Sequence, residues 1–157
     1  MNKRLAAWNS SPAHFAEAAL RGRLARLMEQ VERCSTKPGA DEVHDLRVAI
    51  RRYSQALRVF APLLAAKPVK AMRKALRPVM RAAASVRDLD VGAERLLKEG
   101  LLEHHAAVEQ MRAERRLNEL ALRGRLLLLQ SQEPQRFWPV SLRIQTAGQG
   151  RKGSSHS

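Results

Sequence analysis

The chain is 157 residues long, which suffices for one domain with its own core and is too short for two comfortable ones. Its 29 Lys and Arg against 15 Asp and Glu give a net charge of +14, so the partners it implies are polyanions or anionic surfaces, not basic proteins. A lone cysteine, Cys34, excludes an internal disulfide and makes a cysteine-built zinc site unexpected.

No stretch approaches the roughly 18 consecutive apolar residues of a membrane span, and the opening MNKRLAAWNSSPAHF lacks the apolar region of a secretory signal. The expected setting is the cytoplasm, without membrane attachment. Apolar residues make up 45% of the chain but aromatic ones only 4%, so the core must be aliphatic. Ala, Leu, Arg, Glu and Met dominate and no long period-2 alternation occurs, which predicts an all-α antiparallel bundle of four to five helices.

Ser11-Pro12 reads as an N-cap and first helical residue. The helix that follows carries Phe15, Ala19, Leu20, Leu24, Leu27 and Val31 at helical spacing and ends near Cys34, before the turn-rich STKPGA. Asp41 is expected to cap a second helix, which runs to about Ala61 and stops at Pro62. A third covers about Val69 to Ser85, with Pro78 inside it. A fourth starts near Asp88, where the aspartate serves as cap, and Gly100 interrupts it. Leu101 to about Gln132 reads as one long helix with Glu/Arg pairs at i,i+4. The bundle is therefore expected over residues 10–132. Residues 133–157 are expected to be an irregular or disordered tail, in which RFWPVSLRI can dock as an apolar segment.

Charge is concentrated. Residues 41–87 carry eleven basic and three acidic groups, whereas residues 88–132 carry seven and eight, a net −1. Advancing about 100° per residue along the second helix places Leu46, Ile50, Tyr53, Leu57 and Phe60 on one face, which must be core. His44, Arg47, Arg51, Ser54 and Arg58 fall in a narrow band beside it, and Arg52 points elsewhere. In the third helix Lys70, Arg73, Lys74, Arg77 and Arg81 form a second row opposite an apolar side of Val69, Met72, Leu76, Val79 and Met80. Like charges at i,i+4 cost a few tenths of a kcal/mol per pair, so two rows without interleaved acids imply an external anion. If both rows face one groove, their guanidinium groups can bridge the oxygens of an extended phosphate chain.

VHDLRVAIRR, followed some thirty residues on by VRDLDV, resembles the conserved histidine α-helical (CHAD) domain family over about residues 10–132. The resemblance implies a helical bundle with a basic channel that binds inorganic polyphosphate and associates with polyphosphate granules. Residue by residue, it assigns His44, Arg47, Arg51 and Arg52 to the histidine-arginine motif and Arg87, Asp88 and Asp90 to the second one. The basic residues of the third helix follow the family's habit, and Arg58 rests on the row alone. The family domain has two similar helical halves, and this chain resembles the first. A half-domain leaves apolar surface uncovered, which implies self-association. Asp88 and Asp90 are expected to orient neighbouring arginines or cap a helix, not to hold a metal, and no cofactor is implied.

Three functions compete at this level. A non-catalytic polyphosphate binder fits best, because no phosphate-cradling glycine loop and no carboxylate cluster for Mg²⁺ is visible. A nucleic-acid binder shares the electrostatics but lacks stacking aromatics on the rows. A histidine phosphotransfer bundle would need Lys-Gly at the turn after His44, where Arg47-Val48 stands.

Overall fold

Ser11 and Pro12 open the first helix as expected. The Ser11 hydroxyl accepts the His14 N–H at 3.2 Å, and helix α1 runs over Pro12–Thr36 in the computed structural model, which describes residues 11–142. Leu20, Leu24, Leu27 and Val31 are buried along it. Phe15, expected in the core, is 58% exposed. It stands in the first turn, at the end of the bundle, where its ring meets Phe60 edge-on at 6.1 Å.

Helix α2 spans Ala40–Val59, and Gly39, not Asp41, is its N-cap. Asp41 and Glu42 sit inside the first turn instead, where their charge complements the exposed N–H groups of the helix start. Leu46, Ile50, Tyr53 and Leu57 are buried, as their common face requires. The helix stops at Val59, and Pro62 lies in a single 3-10 turn, Ala61–Leu63.

Sequence reasoning divides the next stretch into two helices; the structure has one, α3, over Ala66–Lys98. Nothing between Ser85 and Asp88 breaks it. Ala82, Ala83 and Ala84 have the highest helix propensity, and the Ser85 hydroxyl donates back to the Arg81 carbonyl at 3.1 Å instead of capping a new start. Asp88 is accordingly an exposed residue in mid-helix, not a cap. The helix ends where Gly100 takes φ +96°. The Gly100 N–H returns to the Leu97 carbonyl and the Leu101 N–H to that of Leu96, the Schellman closure that glycine makes without strain.

Because of that stop, α4 begins at Ala106 and not at Leu101, and runs to Ser131. His105 caps it, its Nδ1 accepting the Ala107 N–H at 3.1 Å. The expected irregular segment after Gln132 is a fifth helix, α5, Pro134–Leu142. Proline suits a first helical turn, and burial of Trp138 and Leu142 holds the short helix down. The Trp138 ring stacks on Tyr53, centroids 5.8 Å apart and planes 18° from parallel. Deleting a buried ring of this kind costs on the order of 3 kcal/mol, so residues 134–142 belong to the bundle. The remainder of the expected tail, residues 143–157, lies outside the described residues.

Consecutive helices pack on one another, α1 on α2, α2 on α3 and α3 on α4, and α1 also meets α4. Short connections make such neighbours antiparallel. Helix α5 closes one side against α1 and α3. One aliphatic core, from Leu20 through Leu129 to Trp138 and Leu142, runs through all five. The fold is all-α with no strand among the described residues. None of the described helices is long and apolar enough to cross a membrane.

Candidate anion-binding cleft

The burial of Leu46, Ile50, Tyr53 and Leu57 fixes the rotation of α2, and that of Val69, Met72, Leu76 and Val79 fixes α3. With both helices so turned, their facing edges border an open cleft of about 580 Å³. Arg51, Ser54 and Arg58 line it from α2, Arg73 and Arg77 from α3, and Ile50, Leu76 and Met80 form its apolar floor. Four guanidinium groups therefore border one cleft, two from each helix, about half of the cations that two fully facing rows would supply. Gln55 also lines it. Sequence reasoning passed over Gln55, although its position one turn beyond Arg51 gives it the same direction.

The other predicted residues fall around this cleft with less unity. His44 and Arg47 lie on the same edge of α2, nearer its N-terminus and beyond the cavity lining; His44 is exposed and Arg47 half-buried. The Arg47 Nε is shielded from solvent and has no hydrogen-bond partner among the described residues. Arg123 Nε shares that condition, but its guanidinium is paired with Glu119, whereas Arg47 has no such partner. Lys70, Lys74 and Arg81 are exposed and do not line the cavity. They lie about 60–100° around α3 from Arg73, so the expected single row is a broader band of which two members point inward. Arg87 is half-buried, about 40° from Arg73 on the other side.

Arg52 belongs elsewhere. It lines a separate cleft, also about 580 Å³, between α1 and α2, together with Arg23, Arg26 and Arg33. Glu29 and Asp45 line the same space, and Arg33 lies 3.9 Å from the Asp45 carboxylate. That cleft is mixed in charge where the α2–α3 cleft is purely cationic.

Ion pairing sets the stretch from Arg47 to Arg87 apart from the rest of the described chain. None of the eleven Lys and Arg from Arg47 to Arg87 makes an ion pair with a described residue. Outside that stretch seven of the thirteen described Lys and Arg are paired, namely Arg21, Arg33, Lys98, Arg112, Arg115, Arg123 and Arg136. The acids thus serve the rest of the bundle and leave the cleft uncompensated.

Asp90, expected to orient an arginine of the rows, does not do so. Its Oδ1 accepts from Arg115 Nε at 2.6 Å, and Arg115 also donates to Glu119 at 2.8 Å and to the Pro38 carbonyl at 2.7 Å. Burial disfavours the Arg115 charge, but Asp90, by hydrogen bond and charge, and Glu119 outweigh it and hold the guanidinium above its ordinary pKa. The reason the expectation fails is rotational: Asp90 lies on the side of α3 that packs on α4. Tyr53 is fully buried, its hydroxyl pushed above its ordinary pKa by that burial and bonded only to the Met72 sulfur at 3.8 Å. It is unavailable to a ligand. Among the described residues no three His, Cys, Asp or Glu side chains converge as metal ligands.

The fold and cleft define an all-helical protein with a cation-lined groove between two helices. The family model of the CHAD domain matches residues 18–154, most of the chain, and the chain belongs to that family. The match extends beyond the expected boundary at residue 132. Comparison with curated proteins and with solved structures gave no match.

Proposed function

We propose that this protein is a non-catalytic binder of inorganic polyphosphate, held in the α2–α3 cleft and placed by it at polyphosphate granules. The observation that carries the reading is the unpaired run of cations from Arg47 to Arg87, four of which border one cavity. Paired arginines would have to give up a carboxylate before taking a phosphate; these do not. Each guanidinium presents planar donors that match phosphate oxygens two at a time. His44, Arg47 and Arg87 extend the cationic surface beyond the cavity, which suits a ligand that is a chain and not a single ion. Membership of the CHAD family supports the same reading.

Nucleic acid is the competing polyanion. A single strand gains much of its affinity from bases stacked on aromatic rings. No aromatic side chain lines the cleft, Tyr53 is buried, and Phe60 is turned to Phe15. The test is competition between long-chain polyphosphate and single- or double-stranded nucleic acid at matched phosphate concentration and near-physiological salt. Polyphosphate is expected to displace nucleic acid. Displacement in the opposite direction overturns the reading. Salt dependence by itself does not discriminate, because both ligands release counterions.

A further inference from the structure

Helix α4 is apolar on two sides. Its inner side buries Val108, Leu122, Leu126 and Leu129. On the opposite side Leu117, Leu120, Leu127 and Leu128 are 69%, 66%, 64% and 58% exposed. Counting about 100° per residue, these leucines fall in a sector some 120° wide, with Ala113, Ala121, Gly124 and Ser131 between them and no charged residue from Ala113 to Ser131 inside it. In a chain of this charge an outward helix face four turns long without a single ionised group is not a solubilising surface.

Gly124 adds an independent observation. A Cβ built on it would meet nothing within 4 Å, so no contact inside the chain requires glycine there. A glycine in a helix interior costs about 1 kcal/mol relative to alanine. Glycine and alanine in a leucine-lined face allow a second helix to approach closely.

From these features we infer that the outer face of α4 is the contact through which two copies of this chain associate, α4 against α4 about a two-fold axis. Charge selects the occupant. Residues 88–132 carry a net −1 within a chain of +14, so this is the one long segment where two copies can meet without bringing their cationic surfaces together. The face also fits itself when the two helices run antiparallel about a point between Leu120 and Ala121. Leu117 then opposes Gly124 of the other copy and Leu128 lies level with Ala113, large against small, while Leu120 meets its own counterpart beside the axis and Leu127 lies level with Glu114 at the edge of the contact. Glu114 and Arg125, which flank the sector on the same side, come within about two residues of each other across the axis and form a reciprocal opposite-charge pair. Within residues 143–157 Ile144 is the only large apolar residue, and residues 1–10 add Met1, Leu5 and Trp8, too few to match a face of four leucines.

This inference is independent of what fills the α2–α3 cleft. Sedimentation equilibrium of the full chain, freed of polyanions, tests it at micromolar concentration in near-physiological and high salt. The expected species has twice the 17.6 kDa chain mass and tightens at high salt, because screening relieves repulsion between the two cationic bodies. Polyanion-bridged association would loosen instead, and that result overturns the inference. Leu120→Glu and Leu127→Glu, both at exposed positions, are expected to weaken association at least tenfold with unchanged helical circular dichroism. Leu102→Glu, equally exposed at 63% but in the α3–α4 turn, should leave it intact. A monomeric wild-type chain overturns the inference, whatever else covers the face, and so does a dimer that survives both α4 substitutions.

Discussion

Arg115 and Asp90 tie three parts of the bundle with one ion pair. The guanidinium of α4 meets the carboxylate of α3 at 2.6 Å while donating to the Pro38 carbonyl in the α1–α2 turn at 2.7 Å. Both side chains are less than one-fifth exposed, at 19% and 16%. Asp90 and Glu119 are thus spent on the scaffold, and the cations from Arg47 to Arg87 make no ion pair among the described residues.

Asp90→Asn is expected to destabilise the fold by about 2–3 kcal/mol, since removing one member leaves a largely buried guanidinium short of its counter-charge. Urea denaturation measures this. Combination with Arg115→Ala should recover a coupling of about 1–2 kcal/mol. In folded Asp90→Asn protein the affinity for polyphosphate should change by less than about twofold. A large loss of affinity with little loss of stability would mean that Asp90 orients a binding arginine, the role sequence reasoning gives it.

The α2 and α3 faces were legible because burial obeys helical periodicity, and one 100° count orients core and cationic edge together. That count allowed up to eight cations in one trough, of which four guanidinium groups border the cleft. Arg52 shows the complementary case: the same count sets it apart from the row, and the structure sends it to the α1–α2 cleft. What stayed hidden depended on contacts between distant segments. The partner of Asp90 lies 25 residues away on another helix. The helical state of residues 134–142 is held by Trp138 stacking on Tyr53, and no local pattern in RFWPVSLRI announces that contact. The continuity of α3 was misjudged because Asp88 carries a cap signal that three preceding alanines override.

The arginines of the cleft should contribute unequally compared with arginines elsewhere. Arg51→Ala and Arg77→Ala remove cations that line the cavity from opposite helices, and each is expected to weaken polyphosphate binding about tenfold at near-physiological salt, in line with loss of a charge-assisted hydrogen-bond pair. Each should also flatten the dependence of log affinity on log salt by about one. Arg112→Ala is the control, because Arg112 lies 3.9 Å from Glu103 on the far side of the chain's charge division; its effect should stay under about twofold. Fluorescence anisotropy with labelled polyphosphate over a salt series provides both quantities. Equal effects at all three positions would mean that the chain attracts polyanions by net charge and that the cleft has no part in it.

Cys34 offers a pH-dependent reading of core integrity. It is fully buried, and burial first, then the negative charge of Glu42, pushes its thiol up to about 11 from a reference of 9.0, against a smaller opposing effect of Arg115 and Arg123. A folded pKa above the unfolded one means that the native state favours the protonated thiol. Its contribution is complete below about pH 9 and is lost as pH rises through about 11. Two pKa units correspond to about 2.7 kcal/mol in full, of which a little over 2 kcal/mol is lost by pH 11. Wild-type stability should therefore fall by about that amount relative to Cys34→Ala between pH 8 and 11, with lysine titration common to both proteins and cancelling in the difference. In native protein at pH 8 the thiol should react with a maleimide far more slowly than in urea, since it is both buried and protonated. Rapid native labelling, or parallel pH curves for the two proteins, would place Cys34 at a surface and contradict the packing of α1 against α2.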